Sequence, residues 1–359
     1  MIEPQAVELT QTDPPLSVEE VLLAFRNRGM PLEGMRYDIT PTGLHYLLIH
    51  WDIPDADAST WRLAIDGAVD KPLELSMDDL RARPRVTHAV TMECAGNGRA
   101  QFSPRPIGQP WLHEAIGTAE WTGAPLRDVL DDAGVKPDAV ELVFTGADSG
   151  YQGDVLQDYQ RSLTVADATR AEVLLAYEMN GRPLEPQHGF PLRLLVPGWY
   201  GMTSVKWLVR IEAVTKPFDG YQQSVAYRLQ QNDDDPGTLV TRIMPRALMI
   251  PPGITDYPAR RRFLGPGRVV LRGRAWSGRA PVDRVKVAVD GAWSDATLEK
   301  PVGEFAWRGW SFAWDASPGE HELACRASDA AGNAQPLDQS WSLGGFANNL
   351  VQRVNVTVG

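Results

Sequence analysis

One segment of the chain, residues 94–99, combines residue types that could do chemistry: it reads Cys-Ala-Gly-Asn-Gly-Arg. Gly96 and Gly98 permit backbone angles that a side chain would forbid, and they let a ligand approach the main chain closely. Arg99 offers a planar set of donors for an anion, and its charge would lower the pKa of a nearby thiol. A thiolate at Cys94 could ligate a metal or act as a nucleophile, although a lone cysteine after a strand is more often a small buried apolar residue.

The second cysteine and the histidines form no metal-binding pattern of their own. Cys94 and Cys325 are the two cysteines, and their separation excludes a disulfide framework and the short spacings of zinc or iron–sulfur sites. No two histidines have the i, i+4 spacing of a helical metal site. A nucleophilic Cys94 would need a base, and His50, His88 or His188 could serve if the fold brings one of them close.

Composition indicates a globular protein with more than one domain. The 359 residues exceed one ordinary core, and 43% are hydrophobic and 23% charged. The net charge of −11 opposes a polyanion-binding surface, so we expect no nucleic-acid partner. We expect no membrane span, because no apolar run is long enough. The N-terminus, Met1–Pro4, lacks a secretory signal, which predicts a cytoplasmic protein, or a periplasmic one if a leader has been removed.

The elements that would position Cys94 are short. Helices are predicted from apolar spacing and capping residues over 17–28, 76–80 and 126–132, and Ser17 with Glu20 reads as a capping box. Strands are predicted over 61–67, 85–92 and 139–145, and the second of them leads directly into Cys94. Residues 172–196 are predicted to form a hairpin, because Asn180-Gly181 suits a turn with positive φ at both central residues.

The second half of the chain has a different texture. Residues 218–259 are rich in proline and poorly periodic, which predicts a connector. Five short strands separated by turn residues follow, and they predict an antiparallel β-sandwich over 260–359. The prediction is therefore an α+β domain over 1–217, a connector over 218–259 and a sandwich over 260–359.

The loop at Cys94 resembles the molybdenum-ligand loop of the sulfite oxidase family of molybdopterin-dependent oxidoreductases, in its haem-free bacterial form. The resemblance continues in order over most of residues 45–230. The matching blocks are Gly108–Trp111, Gly117–Gly123, Leu175–Gly181, His188–Arg193, Pro197–Gly198 and Val205–Trp207. The strand-rich C-terminal part resembles the family's immunoglobulin-like dimerisation domain. The resemblance thus implies a molybdopterin-binding α+β domain, an immunoglobulin-like sandwich and a homodimer.

The resemblance also implies roles for individual residues. Cys94 would be the single protein thiolate on molybdenum, while the pterin dithiolene supplies the other sulfur ligands. The residues at positions that hold the pterin and its phosphate are His50, His188, Arg193 and Lys206. Arg99 matches an arginine beside the metal pocket, and Tyr227 matches the active-site tyrosine, which would hydrogen-bond to the substrate. We expect Trp111, Trp121 and Trp207, within the matching blocks, to be core residues.

The implied reaction is oxygen-atom transfer between molybdenum and a small oxo substrate. Since the chain has no haem-binding signature, electrons would pass to an external electron-transfer protein or small acceptor. Sulfite is the family's default substrate, but Leu48 stands where the family has one substrate-binding arginine, and Gly344 stands where it has a second. These two departures favour a neutral or bulkier substrate, such as a sulfoxide. Two other classes of function remain open: a hydrolase with Cys94 as nucleophile, and a non-catalytic binding module.

Overall fold

A computed structural model describes residues 16–338 and 341–359, so the expectation drawn from Met1–Pro4 lies outside the described residues. The α-helices are α1 (Val18–Arg26), α2 (Met77–Arg81), α3 (Leu126–Ala133) and α4 (Val165–Ala168). Short 3-10 helices cover Leu32–Arg36, Thr42–Leu44, Arg99–Gln101, Pro186–His188 and Gly201–Thr203, and a π turn covers Gln222–Ala226. None of the helices described is long and apolar enough to cross a membrane.

Strands make up most of the regular structure. Those of the first part are β1 (Arg62–Gly67), β2 (Leu73–Ser76), β3 (Val86–Glu93), β4 (Ile116–Pro125), β5 (Glu141–Gln152), β6 (Val155–Thr164), β7 (Leu174–Met179), β8 (Arg182–Pro183), β9 (Arg193–Leu195), β10 (Leu208–Val214), β11 (Arg228–Leu229) and β12 (Thr238–Leu239). Those of the second part are β13 (Arg246–Met249), β14 (Ile254–Thr255), β15 (Arg262–Leu264), β16 (Gly267–Trp276), β17 (Val282–Val289), β18 (Ala292–Asp295), β19 (Thr297–Pro301), β20 (Arg308–Ala316), β21 (Gly319–Asp329) and β22 (Gln352–Val358).

The predicted helices are present because their capping residues work as expected. The Ser17 hydroxyl accepts from the backbone N–H of Glu20, whose carboxylate accepts in return from the N–H of Ser17. Helix α1 ends at Arg26, two residues before the predicted end, because Asn27 is extended. Ser76 caps α2 in the same way, and Gly134 ends α3 with a φ of 66°.

The first part contains two five-stranded sheets and a two-stranded sheet of β11 and β12. One has the strand order β2-β1-β10-β5-β6, and the other has β3-β4-β7-β8 with β9 paired to β7. The predicted hairpin turn is confirmed, since Asn180 and Gly181 have φ angles of 52° and 73°. The predicted strand at 139–145 is longer than expected, because β5 continues to Gln152 as a ribbon with β6. The result is a fold that is mostly sheet with few helices.

The second part is a two-sheet sandwich, as predicted. Its sheets have the orders β13-β16-β20-β19 and β14-β15-β22-β21-β17-β18. Apolar side chains from both sheets share one core that includes Leu271, Val285, Trp310 and Val356. The pairing is antiparallel except between β15 and β22, which run parallel.

The stretch predicted as a connector is more ordered than expected. Residues Arg246–Met249, within 218–259, form β13 and pair with β16 of the sandwich. Prolines flank this strand, and its four residues are all buried, so it has no alternating pattern that could identify it. The partner strand, rather than local sequence, makes it a strand. The domain limits 1–217 and 260–359 stay predictions.

Candidate active site

Six of the seven predicted site residues line one cavity. These six are His50, Cys94, His188, Arg193, Lys206 and Tyr227. They come from different elements: Cys94 follows β3, His188 ends a 3-10 helix, Arg193 begins β9 and Lys206 precedes β10. We call this space the first cavity.

A second cavity lies beside the first, and the seventh residue, Arg99, lines it. The two cavities share four lining residues, Leu48, His50, Cys94 and Tyr227. The thiol of Cys94 therefore faces both spaces. A group bound at Cys94 would border both cavities.

Backbone hydrogen bonds fix the Cys94 loop. The backbone N–H of Cys94 donates to Ala115 O at 3.0 Å, and that of Asn97 donates to Cys94 O at 3.0 Å. Gly98 has a φ of 91°, as expected for a glycine position. Gly96 lines the second cavity, and a Cβ there would also lie 2.8 Å from the Arg99 guanidinium.

The positive charge of Arg99 lowers the pKa of the Cys94 thiol, as predicted, but the net shift of this pKa is upward. Burial raises this pKa, and Arg99 lowers it only in part. Among the described residues, no histidine or carboxylate is hydrogen-bonded to the thiol, so the pair needed for a cysteine nucleophile is not formed.

Two cationic side chains, Lys206 and Arg193, line the first cavity. Lys206 donates to Leu48 O at 2.8 Å and to Gln187 O at 3.1 Å. Arg193 donates to His188 O and Ser204 O, each at 2.9 Å, so it fixes the loop that carries His188. Burial lowers the pKa of Lys206 and raises that of Asp148, which lines the same cavity.

An unpartnered donor or acceptor also faces the first cavity. His188 Nε2 is buried and has no hydrogen-bond partner, and burial lowers the pKa of this ring far enough to keep it neutral. Buried polar atoms rarely remain without a partner. Together with the charge of Lys206 and the thiol of Cys94, this atom fits an anionic, acceptor-rich group such as a pterin phosphate on a thiophilic metal. Within the described chain no cluster of three or more His, Cys, Asp or Glu could hold a metal, so such a group would have to bring its own ligands.

Arg99 is the cation of the second cavity. Its Nε donates to Gly344 O and its Nη1 to Gln109 O, both at 3.0 Å. Its Cζ lies 5.1 Å from the centre of the Phe346 ring. The side chain is buried, and it is fixed by carbonyls and an aromatic face rather than by a carboxylate, so its positive charge stays available.

Tyr227 lines both cavities. Burial raises the pKa of its hydroxyl to about 12, so the group is protonated and able to donate. Its ring packs on Phe346, with 5.1 Å between centroids. On another side, Arg161 Cζ lies 5.5 Å from the ring centroid.

The contacts of His50 are compatible with a packing role and with a ligand-binding role. Its Nε2 hydrogen-bonds to Gln152 Oε1 at 2.8 Å, and its ring packs against Trp51 and Tyr159. It also lines both cavities, so the same side chain packs against its neighbours and is placed to contact a ligand.

A buried ion pair connects the Cys94 loop to the sandwich. Glu93 Oε1 accepts from Arg246 Nη1 at 2.8 Å, and Glu93 Oε2 accepts from Trp276 Nε1 at 2.8 Å. Asn97 Nδ2 donates to the same carboxylate at 3.0 Å. Each side chain of the ion pair is at most 2% exposed. The residue before Cys94 is thus anchored by β13 and β16 of the second part.

Sequence reasoning missed several residues of the site. Phe346, Arg161 and Arg246 belong to no matched block, and they reach the site only through long-range packing. Trp111 was expected to be core and is buried, but it also borders the second cavity and favours the charged form of Cys94. Gln109 and Trp111 could have been found, since both lie in the block Gly108–Trp111.

The fold and the site together define an oxidoreductase of the molybdopterin class. The family model described as oxidoreductase molybdopterin binding domain matches residues 50–222, and the model described as Mo-co oxidoreductase dimerisation domain matches residues 257–359. These matches cover more than half of the chain. The chain belongs to the sulfite oxidase family of molybdopterin-dependent oxidoreductases, whose cofactor is molybdenum bound to molybdopterin.

Curated relatives agree with this assignment. The chain is 36% identical to mitochondrial sulfite oxidase of Rattus norvegicus over 340 residues, which covers 89% of this chain and 62% of the relative. It is 32% identical to nitrate reductase [NADH] 1 of Oryza sativa subsp. japonica, covering 99% of this chain and 41% of the relative. The chain therefore spans less than two thirds of the length of either relative.

A solved structure has the same architecture. The sulfane dehydrogenase SoxCD of Paracoccus pantotrophus matches with a TM-score of 0.80 at 26% identity, covering 98% of this chain and 92% of the matched chain. The relatives thus include proteins named for sulfite, nitrate and sulfane chemistry.

Proposed function

We propose that this chain transfers an oxygen atom to or from a small oxo substrate at molybdenum held by Cys94. The observation that carries this proposal is the position of the Cys94 thiol, which faces a cationic cavity on one side and a second cavity with Arg99 on the other. The bound molybdenum–pterin group supplies the two-electron redox chemistry.

The protein's own residues have separate tasks in this proposal. Lys206 and His188 bind the pterin and its phosphate, and Arg193 orients His188 through its backbone carbonyl. Tyr227 stays protonated, because its pKa is about 12, and donates a hydrogen bond to the substrate. Arg99 attracts the oxygen atoms of the substrate and stabilises negative charge on them.

The substrate proposed here is an oxo compound other than sulfite. Leu48 and Gly344 both line the second cavity, and neither offers a charge. Each missing buried charge partner costs about 2–5 kcal/mol of binding to a dianion. Sulfite is the default from the relatives, and an organic sulfoxide is the candidate that these two residues favour.

The two other classes of function have less support. A hydrolase would need a base at Cys94, and among the described residues neither a histidine nor a carboxylate is hydrogen-bonded to the thiol. A binding module would not need a protonated tyrosine and a fixed arginine beside a thiol. Activity without metal would favour the hydrolase.

The sandwich supports a proposal about assembly. Residues 257–359 match the dimerisation model, so we infer a homodimer through this immunoglobulin-like part, with electrons passed to an external protein or small acceptor. Sedimentation of the purified protein tests the dimer, and a monomer at micromolar concentration would contradict it.

The central experiment is metal and pterin analysis combined with a substrate panel. Protein from a cofactor-competent host should contain one molybdenum and one pterin per chain, and it should turn over sulfoxides with a lower KM than sulfite. Absence of both molybdenum and pterin would overturn the metal proposal, whereas a micromolar KM for sulfite would overturn only the choice of substrate.

A further inference from the structure

A single aromatic residue of the C-terminal segment forms the wall of the second cavity. The segment 341–350 is bonded to the Cys94 loop, since Ala347 N–H donates to Ala95 O and Asn348 Nδ2 donates to Gly98 O, each at 2.8 Å. This anchoring places the Phe346 ring against the cavity that contains Arg99.

The Phe346 ring contacts both side chains proposed to act on the substrate. The guanidinium carbon of Arg99 lies 5.1 Å from the ring centre, and the Tyr227 ring lies 5.1 Å away at an angle of 35°. Cation–π contact and offset aromatic packing each favour a single arrangement. The positions of Arg99 and Tyr227 relative to one another therefore depend on Phe346.

Phe346 also explains why position 344 is a glycine. A Cβ at Gly344 would lie 2.5 Å from Cε2 and 2.7 Å from Cδ2 of the Phe346 ring. Non-bonded carbon atoms do not approach this closely. While the ring holds its position, no side chain can start from residue 344, and a second cation cannot enter the cavity from there.

Arg99, the cation of the second cavity, has few free hydrogen-bond donors for a dianion. Arg99 already uses Nε and Nη1 for the carbonyls of Gly344 and Gln109. Around it the lining of the cavity is largely apolar and aromatic, and it includes Leu48, Trp51, Ile107 and Phe346. Such a lining favours a ligand with an apolar body and a few fixed polar contacts.

We propose that Phe346 is a specificity-determining residue that selects oxo substrates with an apolar substituent and at most one negative charge, and excludes small dianions. The substituent packs on the ring, and the oxo group faces Arg99 and Tyr227. For an organic sulfoxide the S–O bond breaks, and two electrons from an external carrier with two protons give the sulfide and water. The reaction rests on the proposed function, but the binding preference does not.

The test measures binding and turnover separately. Methyl phenyl sulfone, which has the apolar body, and sulfate, which is a small dianion, are titrated calorimetrically into the protein as purified, whatever its content of molybdenum and pterin. We expect the sulfone to bind the unmodified protein at least about tenfold more tightly than sulfate, because one face of an aromatic group is buried. Turnover of methyl phenyl sulfoxide is measured with a reduced viologen dye as electron donor.

Four variants isolate the ring. Phe346→Ala should weaken sulfone binding about tenfold or more and lower kcat/KM for the sulfoxide by a similar factor. Phe346→Leu keeps apolar contact but loses the aromatic packing, so its loss should be smaller. The double variant with Gly344→Arg and Phe346→Ala should reverse the preference and bind sulfate more tightly. Phe263→Ala, on β15 of the sandwich, is the matched control and should leave all values unchanged.

The outcomes separate this inference from the proposed function. Equal binding of sulfone and sulfate, or a Phe346→Ala protein that binds the sulfone as before, would overturn the role of Phe346. If Phe346→Ala does not fold, Phe346→Leu decides, since an unchanged sulfone affinity there contradicts the proposal. Absence of molybdenum and pterin would defeat the oxygen-transfer proposal, and the sulfone and sulfate titrations would still decide the inference about Phe346.

Discussion

The two cavities that meet at Cys94 are built on different principles. The first has cations and unsatisfied polar atoms on its wall, supplied by residues 186–206 and by His45, together with the carboxylate of Asp148. The second has one fixed arginine in an apolar lining, supplied by α1, by the loops at 48–51 and 107–111, and by the C-terminal segment. Residues 186–206 line only the first cavity and form what we call the cofactor wall, whereas the C-terminal segment lines only the second cavity and forms the substrate wall. A change in the C-terminal segment therefore need not alter the cofactor wall.

The largest effect is expected where the two cavities meet. Cys94→Ser should abolish redox turnover, since a hydroxyl is a poor ligand for a metal that prefers thiolate, while the fold is retained. Activity and circular dichroism measure the two parts. Cys325→Ala, in the sandwich core, is the control and should remain active. Full activity of Cys94→Ser would disprove the role of Cys94 in both cavities.

Glu93→Ala tests whether the buried ion pair of Glu93 with Arg246 stabilises the segment that carries Cys94. Removing this carboxylate leaves Arg246 buried without its partner, which should lower the free energy of unfolding by about 3–5 kcal/mol. Chemical denaturation measures the change. Glu322→Ala breaks an exposed pair with Arg353 and should cost less than about 1 kcal/mol. Equal losses for the two variants would show that Glu93 does not anchor the site.

Tyr227→Phe addresses the substrate side. Loss of one hydrogen-bond donor at the reacting oxygen should lower kcat about 100-fold, and the molybdenum content should be unchanged. Steady-state kinetics and metal analysis distinguish the two effects. The exposed Tyr257→Phe serves as control. If the Tyr227→Phe protein lost molybdenum instead, the role of Tyr227 would be cofactor binding rather than substrate binding.

Lys206→Met addresses the cofactor side, with the smallest effect. Loss of the ammonium should weaken cofactor binding about tenfold, so that less pterin is retained after dialysis, while KM in the loaded fraction is unchanged. Without the cofactor, the Lys206→Met protein should be more stable than the unmodified protein. Burial disfavours the charged form of Lys206 and so lowers its pKa, whereas methionine has no charge to bury. The exposed Lys216→Met is the control. A change in KM alone would contradict the division into two walls.

Local patterns were sufficient for many individual elements. The strand that ends before Cys94, the Ser17 and Ser76 caps and the Asn180-Gly181 turn all depend on neighbours within a few residues, so sequence reasoning found them. The strand at 246–249 and the buried pair of Glu93 with Arg246 escaped it. Both depend on partners far along the chain, and no local periodicity records such a partner.

The site shows the same division. The sequence alone determined that Cys94 follows a strand, and its resemblance to ordered blocks identified His188, Arg193 and Lys206 as companions. Only the tertiary structure decided that Arg99 is held by Gly344 O and that Phe346 lies between Arg99 and Tyr227. The physical reason is distance along the chain: about 250 residues separate Cys94 from Phe346, and both line the second cavity because the final segment of the chain bonds to the Cys94 loop.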